Sequence, residues 1–243
     1  MPTGIIINAF AIVIGGLLGA RIRNRMGSAF KEGLNMIFGL CSMSMGISSI
    51  VLMENMPAVI FSVILGTSIG LLIHLGAWIN AGARQMQRLV SRFSAGSGSA
   101  PSDPALTSML VTVIVLFCAS GTGIYGSIIS GMSGDHSLLI AKSILDLFTA
   151  LIFGCTLGAV VSVIALPQLI IFLSLFFVAR LIYPLTTPVM INDFKACGGI
   201  LMVATGFRIL KTREFPTADM IPSMILVMPL SWIWTSVIMP LLA

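Results

Sequence analysis

Lys142-Ser143-Ile144-Leu145-Asp146 is the stretch of this sequence richest in potential chemistry. Its two charges stand four residues apart, so on a helix they share a face and can pair. Long apolar runs flank them. From a helix start near Leu138, Asp146 lies about 12 Å along the axis at 1.5 Å per residue. An ionisable group at that depth in hydrocarbon costs about 3 kcal/mol or more unless it is paired or hydrated. Asp146 is expected to be the one acidic residue deep in an apolar run, and Thr149, Phe153 and Thr156 continue its stripe. Two chemistries fit. In the first, Asp146 is the central carboxylate of an ion- or proton-linked pathway and Lys142 holds it ionised, since desolvation alone would favour the neutral acid. Thr149, Thr122 and Ser127 would then supply neutral oxygens. In the second, the pair is an interhelical staple. Asn8, in the first apolar run, is the next polar candidate, as a pathway group or as packing glue between helices.

Other chemistry is thinly represented. Gly66-Thr67-Ser68-Ile69-Gly70 fits G-x-S-x-G, but it lies inside an apolar run and not on a strand-to-helix turn. Gly131-Met132-Ser133-Gly134 resembles the G-x-S-G of intramembrane rhomboid proteases, yet no His follows His136 to act as base. Cys41, Cys118, Cys155 and Cys197 all fall in apolar runs without a C-x-x-C, and only His74 and His136 join them, so no His-rich metal site is expected. No P-loop or dinucleotide fingerprint occurs, and no cofactor is expected.

The elements that must position these residues follow from composition. The 243 residues are 57% hydrophobic and 9% charged, with a mean hydropathy of +1.08. A soluble domain carries about 25% charge, so this chain belongs in a bilayer. A helical span takes about 20 apolar residues. Eight runs of that kind are read at 4–20, 34–53, 57–78, 106–126, 138–163, 167–185, 194–210 and 219–241. Nothing alternates with the ten-residue period of a membrane barrel. The fold class is all-α, a polytopic helical membrane protein. No basic residue precedes the first run and several follow it, the reverse of a cleavable signal peptide, so Met1 is expected to stay.

Charge sets the orientation. Ten of the thirteen Lys and Arg (21, 23, 25, 31, 84, 88, 92, 208, 211 and 213) fall on one side if both termini lie outside. The pI near 9.4 comes from these inner-side groups, which suit anionic headgroups without a nucleic-acid partner. Residues 80–93 place Arg84, Arg88 and Arg92 on one helical face, which reads as an interfacial helix on the inner leaflet or as a solvated loop helix. Residues 94–105, SAGSGSAPSDPA, read as a flexible linker between a three-span part, 1–93, and a five-span part, 106–243.

Gly121, Gly123, Gly126, Gly131 and Gly134 crowd the end of the fourth run. Each costs about 1 kcal/mol in a helix, so residues 121–134 are expected not to form one continuous helix. Gly15-Gly16-Leu17-Leu18-Gly19-Ala20 matches Gly154-Cys155-Thr156-Leu157-Gly158-Ala159 at four of six places. An inverted internal repeat with a broken helix, the arrangement of many transporters, is one source of such matches; chance in apolar sequence is the other. Gly15/Gly19, Gly66/Gly70 and Gly154/Gly158 allow close helix approach within a protomer or in a homo-oligomer.

GIIINAFAIVIGGLLGA, FCASGTGIYGS and KSILDLFTALIFGCTLG together resemble the YqgA/YdfK-like family of bacterial inner-membrane proteins, over the whole length and most specifically at KS-x-L-D. The resemblance implies a polytopic bacterial plasma-membrane protein and assigns no site residue. The residues themselves point to a transporter or channel for a small ion or solute. A non-transporting assembly or regulatory protein is the rival, and an intramembrane enzyme lacks a base. The topology has a direct check: single cysteines in a background lacking the native ones should react with an impermeant thiol reagent in intact cells at position 190 and not at position 100. The reverse pattern would overturn the orientation.

Overall fold

The computed structural model of the chain describes residues 1–22, 27–95 and 104–242. Arg23, Arg25 and most of the 94–105 stretch lie outside the described residues. The described residues are helical throughout, in the order α1 (Thr3–Arg21), α2 (Ser28–Ile50), α3 (Met56–Leu72), α4 (Leu75–Ala95), α5 (Pro104–Cys118), α6 (Gly121–Ser133), α7 (Ser137–Leu157), α8 (Val160–Val163), α9 (Ala165–Ile182), α10 (Pro188–Ile209), α11 (Ile221–Ile233) and α12 (Met239–Leu242), the last two joined by a π-turn at Trp234–Ile238. They form two compact units. One is built from Met1–Asn35 and Trp78–Leu181, the other from Met36–Ala77 and Ile182–Ala243. Each draws on both sides of the 94–105 stretch.

Six helices are long and apolar enough to cross a membrane: Thr3–Arg21, Ala29–Ile50, Met109–Ser133, Ser137–Leu157, Val160–Leu185 and Ile221–Leu241. The pair Met56–Leu72 and Leu75–Val90, bent by 60°, counts as a seventh if taken as one span. The eight expected spans are therefore not all found by this measure. Pro188–Ile209 has the length but not the apolarity, because Asn192, Asp193 and Lys195 crowd its first two turns. One boundary also moves. The expected run 138–163 ends at Leu157, because Gly158 takes a left-handed φ of 80° and caps α7, so that 160–163 leads into α9.

The first unit shows why these sequences pack. α1 turns Ile6, Phe10, Ile14 and Leu17 outward and buries Gly4, Asn8, Ala9, Gly15, Gly16 and Gly19. Ile5 and Ile12 are buried beside these small residues; small residues on the inward face are what a lipid environment selects, since lipid competes with protein for Leu and Ile but not for close backbone contact. Gly4 faces Leu139, Gly15 faces Leu147 and Ala150, and Gly19 faces Leu151 and Gly154, so α1 and α7 run parallel in tight register. A Cβ at Gly15 or Gly19 would collide with the carbonyl oxygen of Leu147 or Leu151. The GxxxG pair and the Gly154 repeat of it thus meet within one chain. In the second unit Gly66 and Gly70 do the same work for α3 against the backbone of Ser223 and Asp219 on the approach to α11.

The glycine-rich stretch corrects an expectation. Gly121–Ser133 is one continuous helix, and the break comes before it, at Ala119–Ser120. Ser120 caps α6 by accepting from the Gly123 amide at 3.1 Å, the usual role of a serine at a helix start. The glycines are there for contact. Gly123 makes room for the Phe172 ring and the Lys142 stem, Gly126 lies against Leu139, and Gly131 against the Phe176 carbonyl and Ala179. Only Gly134, at φ 72°, ends the helix.

The helix read as interfacial extends over Leu75–Ala95. Arg84 and Arg88 are exposed, while Ala83, Met86 and Val90 pack into the core of the first unit around Leu110, Ile114 and Phe117. Protein covers this part of its apolar face, while Trp78 and Leu89 are left exposed; the Arg92 side chain lies outside the described set. Gly19→Leu should sharply reduce the folded fraction in thermal melts of the detergent-solubilised protein, whereas Gly33→Ala, where nothing lies within 4 Å of an added Cβ, should leave it unchanged or slightly raised.

Candidate functional site

Four buried polar side chains from three helices meet inside the first unit. α7 brings Lys142 and Asp146 one turn apart, and Lys142 Nζ donates to Asp146 Oδ1 at 2.8 Å and to Oδ2 at 2.7 Å. α1 brings Asn8, whose Nδ2 donates to Asp146 Oδ2 at 2.7 Å. α9 brings Gln168, whose Nε2 donates to Asn8 Oδ1. Asn8 and Gln168 are 0% exposed, Lys142 4% and Asp146 6%. At these burials a charge without a partner is untenable, and the carboxylate is paired on both oxygens.

The chain of donors has one possible direction. A carboxylate can only accept, so Asn8 must turn its NH2 toward Asp146 and its oxygen away. That oxygen in turn requires the NH2 of Gln168. The Gln168 oxygen is left at the free end, and Gln168 Oε1 meets no donor among the described residues. A buried acceptor left unmet costs about 1–3 kcal/mol.

The other residues read from sequence are placed as follows. Ser127, fully buried on α6, donates to the Gly123 carbonyl of its own helix at 2.7 Å. Thr122 and Thr149 are buried in the same unit at 6% and 9% exposure. Ser68 and Ser133 each donate to the carbonyl four residues back, Ile64 at 2.8 Å and Ile129 at 3.0 Å. The neighbour Ser130, buried, lies 2.7 Å from His136 Nδ1.

Asp146 is not alone as a deep carboxylate, as the sequence suggested it would be. Asp193, read as the end of an outer loop, is fully buried in the second turn of α10. Its Oδ1 accepts from the amides of Glu54 and Asn55, each at 2.9 Å, and its Oδ2 from Asn55 Nδ2 at 2.9 Å and Ser231 Oγ at 2.7 Å. The two amides belong to the turn just before α3, so backbone and neutral side-chain donors, and not a lysine, meet this charge. Thr187-Pro188 was the available signal: Thr187 caps α10, which puts Asp193 inside a helix. Gln168 was hidden by its position next to Pro167, where a span boundary was expected.

The two carboxylates share a construction. Asn8 donates to Asp146 and Asn55 to Asp193, and both contacts join residues 138 apart in the chain. A displacement of 47 residues carries Asn8 onto Asn55 and Asp146 onto Asp193, and likewise Ala11 onto Ala58, Leu18 onto Leu65, Gly19 onto Gly66 and Ile22 onto Ile69. What differs is the source of positive charge. Four residues before Asp146 stands Lys142; four before Asp193 stands Val189.

A family model described as protein of unknown function (DUF554) matches residues 3–232. The chain is 45% identical to "Uncharacterized protein YqgA" of Escherichia coli strain K12, over 97% of this chain and 99% of that one. It is 25% identical to "Uncharacterized membrane protein YdfK" of Bacillus subtilis strain 168, over 92% of this chain and 93% of that one. No solved structure matches it.

The pair itself can be tested. Removing one partner of a buried ion pair costs about 3–5 kcal/mol, while replacing both with apolar side chains is often neutral. Lys142→Met and Asp146→Leu should therefore each destabilise the protein strongly in denaturant titrations. The double variant should recover all but the about 1–3 kcal/mol of Asn8's unmet amide. A double variant as unstable as the two singles combined would show that the charges are not coupled.

Proposed function

The chain belongs to the family described as protein of unknown function (DUF554), and for it we propose the function of a helical membrane transporter or channel for a small ion or solute, with its polar site at Asp146 and Lys142. The observation that carries this reading is the kind of partner each buried carboxylate has. Asp193 is held by two backbone amides, which are fixed in place, and by the neutral side chains of Asn55 and Ser231. Asp146 is held by a lysine on four rotatable bonds, whose ammonium can swing away and leave the carboxylate to another cation. An ionisable residue inside a membrane bundle with a displaceable partner is a pathway residue before it is a structural one.

Thr149, Thr122, Ser127 and Asn8 complete the proposed pathway as neutral oxygens and an amide around the same unit. The break at Ala119–Ser120 supports it, because the last carbonyls of α5 lose their helical amides there. The proposal places the chain in a bacterial plasma membrane with both termini outside. Arg84, Arg88 and Arg92 of α4 would then face anionic headgroups. No enzymatic step enters it.

A second reading has its own support. Asp146 is bonded on both oxygens within a closed cluster, as a staple in an assembly or regulatory membrane protein would be. Flux in proteoliposomes decides between them. Wild type should move ions, Asp146→Asn should lose at least tenfold in rate, and Lys142→Ala should change selectivity. Unaltered flux in Asp146→Asn, or a loss of folded protein as its only effect, would establish the staple.

A further inference from the structure

The polar chain of the first unit ends in an oxygen. Lys142 donates to Asp146, Gln168 donates to Asn8, Asn8 donates to Asp146, and Gln168 Oε1 is left as a buried acceptor with no donor among the described residues. The order is forced by the carboxylate, so it cannot be reversed by turning the amides over. Whatever meets this end must therefore bring a hydrogen-bond donor or a positive charge. An anion is excluded by the same chemistry.

The charge of the ligand follows from the carboxylate. Asp146 is the cluster's one acid, Lys142 its one cation, and Asn8 and Gln168 are neutral amides, so moving Lys142 aside leaves a single negative charge. Among the described residues no group of three or more His, Cys, Asp or Glu stands together. Divalent cations take several oxygens, commonly more than one of them charged, so a single positive charge is what this cluster balances. The shape follows from the resident group. Asp146 already receives an ammonium, with two short contacts at 2.8 and 2.7 Å. Gly123 leaves just the space that the Lys142 stem and the tip of Phe172 fill; an added Cβ there would stand 3.0 Å from Lys142 Cε and collide with the ring.

We infer that this cluster binds one small monovalent cation of the ammonium type, ammonium itself or the protonated end of a small primary amine, with Gln168 Oε1 as its first contact and the Asp146 carboxylate as its seat once Lys142 moves aside. The inference rests on the transporter reading above and names its substrate class. Gln168 is the residue that receives the ligand, and Asn8 is the positioning residue that keeps the Gln168 oxygen free.

The test is a thermal-shift titration of the full-length wild-type protein in detergent with ammonium, methylammonium, sodium, potassium and tetramethylammonium chlorides. Ammonium and methylammonium should raise Tm along a saturating curve, while tetramethylammonium, which has no N–H, should not. Gln168→Met should raise the half-saturating concentration at least tenfold, and Asp146→Asn should abolish the response. Equal effects of all five salts, a saturating response to sodium or potassium alone, or no response would each overturn the inference. If Gln168→Met does not fold, the wild-type ranking of the salts still decides. Methylammonium uptake into proteoliposomes separates the two levels. Saturable binding without uptake keeps the ligand and removes the transporter. Flux of another solute without ammonium binding keeps the transporter and removes the ligand.

Discussion

A carboxylate inside a helical membrane bundle has to be met by donors before any packing can form around it, because hydrocarbon offers none. Two aspartates impose that condition here, and much of the architecture answers to them. Asp193 is met by the start of α3, which fixes where that helix begins and why Asn55 precedes it. Asp146 is met by Lys142 and Asn8, which fixes the register of α1 on α7. The glycines at 15, 19 and 154 then let the two helices close to the distance at which the asparagine reaches the acid.

The same condition explains residues that look unfavourable when read one at a time. Glycines inside α6 weaken that helix on intrinsic grounds. Gly123, however, is what admits the lysine stem beside Phe172, and Gly131 is what lets α6 lie on the Phe176 backbone. Local propensity is overruled by tertiary contacts. The basic helix α4 follows a related rule. Ala83, Met86 and Val90 are taken up by the core around Phe117, and Arg84 and Arg88 are offered outward together with Trp78 and Leu89.

The contrast between the two acids links packing to function. Backbone amides hold a charge rigidly, whereas a lysine side chain holds it reversibly. A repeated Asn–Asp contact with equal chain separation is completed by backbone amides in one unit and by a lysine in the other, and the proposed function rests on that difference.

What the sequence determined by itself was local. Composition and run length placed the chain in a bilayer as an all-α protein, and the four-residue spacing of Lys142 and Asp146 was enough to pair them, because helix geometry alone brings such positions together. Asn8 was legible as a polar residue in an apolar run, though not as the ligand of a carboxylate 138 residues away. The tertiary structure decided the rest. It joined Gln168 to Asn8, buried Asp193 against the start of α3, turned the glycines of α6 from breakers into contacts, and divided the chain into two interleaved units. None of these can be read from spacing, because each depends on which distant helix supplies the missing donor or the missing space.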